Sequence, residues 1–257
     1  MYLSAAKKAA VCAMAAAILV AVQAVFGLVS GIEVVTVLLL SFSAYFGAVC
    51  GMISAVAFSL LRCFIWGFYP SVIVLYLIYY PLFALLCGAL GKVSDEKSGS
   101  VFALVCINVT IGAVGAGAAV AAWLNLIKIS RLYAATLNAL LWVLTGVCAA
   151  FIISFDGIYV AVKLKKADKK ALRVFMFAAA AVFSTICFTL LDDVITPLMS
   201  GMGQIAALGY FYTSFLAMLP QTVCAAVSVL VLYPPITFAL SKAFRGSKFI
   251  DKKRKKF

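Results

Sequence analysis

The feature that most constrains this chain is a succession of uninterrupted apolar runs, close to or above the ~20 residues a helix needs to cross a bilayer. A soluble fold would have to turn far more apolar surface toward water than it could hide. Hydrophobic residues fill 67% of the 257 positions and charged residues only 11%, well below the usual quarter in soluble domains. Lipid is the solvent that accepts such a surface. Hydrocarbon offers the backbone no partners, so spanning segments must be helices or a closed barrel. The runs lack the period-two alternation of barrel strands. The expected fold is all-α, a polytopic transmembrane bundle of about eight spans, within a range of six to eight.

The spans read as roughly 9–29, 34–50, 52–66, 71–91, 101–124, 133–155, 173–194 and 208–232. The turn from Gly47 to Gly51 leaves open whether the second and third are two short spans or one bent element. Pro81 and Pro220 remove backbone donors and should kink their helices. Pro234-Pro235 is expected to end the last span. Residues 1–241 then form the bundle and residues 242–257 a basic tail. The N-terminus has Lys7-Lys8 before an Ala-rich run, like a signal peptide, but apolar character continues to Val29, so an uncleaved first span is expected.

Charge sets the orientation. The net charge is +13, and 18 of the 21 basic residues fall in four clusters. These are Lys7-Lys8, Lys92 with Lys97, the 163–173 segment, and the tail from Lys242. With both termini cytoplasmic, every cluster lies inside and only Lys128 and Arg131 lie outside. The charge then reports topology and contact with lipid headgroups, not nucleic-acid binding. A multi-pass protein of a cell membrane, of bacterial plasma-membrane type, is expected.

Several chemistries are disfavoured. There is no His, and the eight Cys residues form no C-x-x-C pair, so metal binding has no donor set. Without His the common triads are missing. Asp192 and Asp193 are adjacent on a helix, pointing about a third of a turn apart, and make a poor acid–base dyad. No Gly-rich phosphate loop occurs. We expect neither an enzyme nor a cofactor.

Arg62 is the most informative residue, a cation inside an apolar span, where an unpaired charge costs ~3 kcal/mol or more. Trp66 follows on the same helix face, and Phe68, Tyr69 and Pro70 follow in the next loop. A cation beside aromatics can hold an anionic or planar ligand. An internal ion pair with Glu33 or Asp192-Asp193 is the competing explanation. Tyr76, Asn138 and Gln221 fall toward the same outer half and complete the candidate substrate-binding set. Tyr and Trp there can also be plain membrane anchors. In the first span, Ala9, Ala13, Ala17 and Ala21 form a four-residue ladder. It would suit close approach of another helix, inside the bundle or from a partner.

The first-span ladder, the stretch "LLLSFSAYFGAVCGMISAVAFSLLRCFIWGFYPSVIVLYLIYYPLFALLCGALGK" and the segment "YFYTSFLAMLPQTVCAAVSVLVLYPPI" resemble the substrate-binding S component of energy-coupling-factor importers. The likeness covers about the first ninety residues and the last fifty. Typical S components have six spans, and residues 100–200 match none of their pattern. The resemblance implies ATP-driven uptake of a vitamin-like micronutrient captured from outside. It implies as partners a transmembrane coupling protein and two cytoplasmic ATPases, besides the small-molecule ligand and the lipid bilayer. It assigns the Ala ladder to docking the coupling protein and places Arg62, Trp66 and Tyr69 among ligand contacts. An autonomous secondary transporter and a non-transporting membrane scaffold are the alternatives.

Overall fold

The computed structural model describes residues 5–27, 34–93, 99–129, 132–165 and 169–244. They form eight helices: α1 (Ala5–Phe26), α2 (Val34–Phe46), α3 (Ala48–Trp66), α4 (Pro70–Val93), α5 (Gly99–Trp123), α6 (Ala134–Lys165), α7 (Lys169–Met199) and α8 (Gln204–Ala243). No strand occurs among the described residues. Seven of the helices are long and apolar enough to cross a membrane. The chain is an all-helical, multi-pass membrane bundle.

Several boundaries differ from expectation, with α6 running past 155 to Lys165 and α7 past 194 to Met199. The second span stops at Phe46, and the third begins at Ala48 and runs 19 residues. The short element is α2, with 13 residues, ~20 Å of helix against a hydrocarbon core of ~30 Å. The break sits at Gly47 alone, which takes φ 95°, a left-handed conformation that favours glycine. Gly51 is not part of the turn; it lies inside α3. The last span also does not end at Pro234-Pro235, because α8 continues to Ala243. Each proline withholds one donor, and the hydroxyl of Thr237 bonds the carbonyls of Tyr233 (2.8 Å) and Pro234 (3.0 Å). These are not the carbonyls that the prolines free, which belong to Leu230 and Val231 four residues before each ring. Of the basic tail, residues 245–257 lie outside the described residues, as does Glu33.

Glycines decide how α2, α3 and α4 meet. A Cβ on Gly88 would overlap the backbone of Ala48, and one on Gly91 would lie 2.8 Å from the Ala44 carbonyl oxygen. A Cβ on Gly51 would overlap the Ser43 side chain. The last turns of α4 thus lie directly on the α2–α3 corner, with backbones approaching as closely as small residues allow. Nearby, the Cys12 thiol donates to the Cys50 carbonyl at 3.6 Å, and Phe46 meets Phe244 edge-on at 5.0 Å. The start of α1, the α2–α3 corner, the end of α4 and the end of α8 therefore share one end of the bundle. Lys7, Lys8 and Lys242 belong to that end.

The packing pattern separates two parts. Helices α1 to α4, α7 and α8 form a connected body, in which α4 packs on α7 and α2 packs on α8. The hairpin α5–α6 packs on itself and reaches the body through two seams, α4–α5 and α6–α7. Asn108 donates to Asp156 at 2.8 Å and Thr145 to the Gly115 carbonyl at 3.2 Å, tying the two hairpin helices together.

Filling the close approach should be costly. Gly88→Ala must push the α2–α3 corner off α4 and is expected to destabilise the protein by about 1–3 kcal/mol, the usual effect of overpacking. Gly117→Ala meets open space and should leave stability unchanged or slightly raised. Thermal unfolding of both variants in one detergent checks the pair.

Candidate functional site

Arg62 lies in the last turns of α3, and the turn after Trp66 brings the start of α4 back beside it. Its guanidinium carbon stands 4.3 Å from the centre of the Tyr76 ring and 5.5 Å from that of Trp66. A cation over aromatic faces gains about 0.5–2 kcal/mol, more as water is excluded. The Tyr76 ring is itself held by Tyr80 (4.9 Å), Phe188 of α7 (5.9 Å) and Phe58 (6.4 Å). From α1, the Gln23 amide donates to the Tyr76 hydroxyl at 3.4 Å. Four helices therefore build one cluster, at the end opposite the chain termini.

Within this cluster two buried polar atoms have no partner, Nε of Arg62 and Oε1 of Gln23. One is a charged donor and the other a neutral acceptor. Burying either without a hydrogen bond costs about 1–3 kcal/mol, more for the charged group. No carboxylate of the described residues lies within ion-pair distance of Arg62. A ligand carrying an anionic oxygen and a donor group would satisfy both.

The Asp192-Asp193 pair does not serve Arg62. Asp192 accepts from Thr196 (2.6 Å) and from the Tyr210 hydroxyl (2.5 Å). Asp193, 3% exposed, accepts from Ser214. The turn over 200–203 folds α8 back on α7, which sets Tyr210 and Ser214, four residues apart, against the two carboxylates. These hydroxyls are not paired with the aspartates in the sequence analysis. The readable signal was their one-turn spacing after a short connection.

Of the six substrate-site candidates, the structure brings Arg62, Trp66 and Tyr76 together. Tyr69 is exposed in the turn before α4, and its ring lies against Gly67. Asn138 donates to Asn125 at 2.5 Å, closing the α5–α6 turn where Asn125 takes φ 48°. Gln221 is half-buried on α8, which packs chiefly on α7 and α2. Gln23 was missed: an amide near the end of an Ala-rich span looks like one more polar terminus until α4 is laid beside it.

The Ala ladder is resolved as well. Ala9, Ala13, Ala17 and Ala21 are all exposed, whereas Cys12, Ala15, Ala16 and Leu19 form the buried face of α1. Internal packing of the ladder is therefore ruled out, and the small side chains face outward. No group of three or more His, Cys, Asp or Glu that could hold a metal occurs among the described residues. No family model, curated protein or solved structure matches the chain.

The α7–α8 network should be structural. Ser214→Ala strips buried Asp193 of its hydroxyl donor and is expected to cost about 1–3 kcal/mol. Tyr212→Phe, on an exposed side chain, should cost nothing measurable. Chemical denaturation in detergent separates the two.

Proposed function

We propose that this protein is the membrane-embedded substrate-binding subunit of an ATP-driven importer of a vitamin-like micronutrient, working with a separate coupling protein and ATPases. The observation that carries the reading is Arg62, a cation held against Tyr76 and Trp66 with a buried donor atom and no counter-charge among the described residues. A charged group in a membrane helix is a functional site by default.

Two further features support it. Setting aside α5–α6 leaves six helices that pack as one body, the span number of the S components that the sequence resembles. The unmatched middle of the sequence largely corresponds to the added hairpin. The exposed Ala ladder provides a flat strip on α1 against which a helix of the coupling protein can pack closely. On this reading the lysine-bearing end faces the cytoplasm and the Arg62 cluster opens to the outside. Ligand would displace the unsatisfied state of Arg62 and Gln23, and reorientation against the coupling protein would release it inward.

Buried Asp193 favours a second reading, a secondary carrier coupled to proton or cation movement. The two readings differ in what purifies with the chain. An importer subunit brings ATPases and a bound ligand, whereas a secondary carrier transports alone.

The test begins with affinity purification from native cells and mass spectrometry of the retained partners and small molecules. Arg62→Ala should weaken binding of the retained ligand by about tenfold or more, and Arg62→Lys by less. Ala13→Trp should leave ligand affinity unchanged while abolishing ATPase co-purification and uptake. Equal affinity in wild type and Arg62→Ala removes Arg62 from the site, and uptake by the reconstituted chain alone removes the importer.

A further inference from the structure

A second site lies where the hairpin meets the body. Around this region α4 packs on α5, α5 on α6, α6 on α7 and α7 on α4, while the diagonal pairs α4–α6 and α5–α7 stand apart. Side chains ordinarily fill the centre of such a four-helix ring, but here they leave it open. A cavity of about 850 Å³ fills that centre, within the range of about 300–1,000 Å³ typical of small-molecule sites.

Its wall is almost purely hydrocarbon. Leu82, Leu86, Ile111, Leu140, Leu144 and Leu190 are typical of the lining, and no charged residue contributes. The hydroxyl of Thr110, one of the few polar groups, already donates to the Cys106 carbonyl at 2.7 Å. Along α4 the lining runs from Tyr79 to Ala89, roughly 15 Å of helix. The cavity is thus long, narrow-walled and free of demands for hydrogen bonds. A polar nutrient would lose its hydration there without compensation.

The side that opens can be read from exposure. Lining residues of α6 and α7 are buried or half-buried, whereas Leu82 and Leu85 of α4 and Cys106, Thr110 and Val114 of α5 are exposed. The opening is therefore the α4–α5 seam, which is also the least extensive contact of the four. Leu82 and Leu85 lie within the apolar span of α4, so the seam faces hydrocarbon. One turn past Ala89, α4 reaches Lys92, at the end where basic residues collect.

We propose that this cavity binds the acyl chain of an anionic lipid, entered sideways between α4 and α5, and that the chain holds the α5–α6 hairpin to the six-helix body. The inference is independent of the importer reading, because none of Arg62, Trp66, Tyr76 and Gln23 lines the cavity, although α4 and α7 contribute to both places. The acyl chain could be supplied by a bilayer phospholipid or by a free fatty acid. An apolar cavity excludes water and accepts apolar matter of matching shape, and the bilayer presents such matter at the seam.

The experiment uses the full chain in mild detergent. Native mass spectrometry should find about one lipid retained per chain, as expected for a single enclosed site. After delipidation, titration with phosphatidylglycerol and separately with oleate should raise the melting temperature saturably, and the lipid with the stronger shift identifies the source. Cys187→Trp and Thr110→Trp place large rings in the lining and should abolish lipid retention. Val109→Trp, 65% exposed and outside the lining, should retain it. If a filled variant fails to fold, the titration of wild type still decides. Saturable stabilisation supports the site, and its absence with both lipids overturns it. Undiminished retention in either folded filled variant also overturns it.

Discussion

Hydrocarbon supplies neither hydrogen bonds nor counter-ions, so every polar side chain inside this bundle has to be answered by its neighbours or by the backbone. Most are. Ser54, Ser59, Thr185 and Thr189 return their hydroxyls to carbonyls of their own helices. Asn108 finds Asp156, Asn138 finds Asn125, and the two aspartates of α7 find hydroxyls of α8. This accounting makes Arg62 stand out. Buried atoms of Gln23, Ser41, Ser43, Tyr45, Asn108 and Arg62 keep no partner among the described residues, and Arg62, against the rings of Tyr76 and Trp66, is the charged one.

The same solvent logic governs how closely the helices approach. With little hydrophobic drive between helices in lipid, association depends on packing contact. Gly88 and Gly91 let α4 lie against the α2–α3 corner, where α3 begins. Arg62 and Tyr76 meet toward the other end of the same two helices, α3 and α4.

The sequence made the class, the number of helices and the clustering of cations legible, because run length and charge placement are one-dimensional signals. It made Arg62 with Trp66 legible through one-turn spacing. What it hid was every pairing made across the bundle. Asn138 looked like a site residue because an amide in lipid needs a partner, but nothing in the spacing said that Asn125, thirteen residues earlier, would supply it. Gln23 was hidden for the converse reason. Pro234-Pro235 misled because proline's cost was judged by the rules for water, where a freed carbonyl has an easy partner outside the helix. The helix nonetheless runs through both prolines to Ala243.

The hairpin α5–α6 shows how an addition to a bundle can create a cavity without disturbing the body that receives it. It enters the sequence between α4 and α7, which already pack on each other. The two-helix unit touches each helix of that pair along one seam, and the side chains facing the middle of the four leave a cavity between them. Protein interiors keep few voids, and one of this size bounded by Leu, Ile and Phe suits matter as apolar as its wall. The aromatic cluster around Tyr76 and Phe188 stands at its edge, where Tyr79 lines the cavity and also packs on Phe188 at 4.8 Å. The wall that shapes the apolar space is thus the outer support of the ring beneath Arg62, so the contents of one bear on the stiffness of the other.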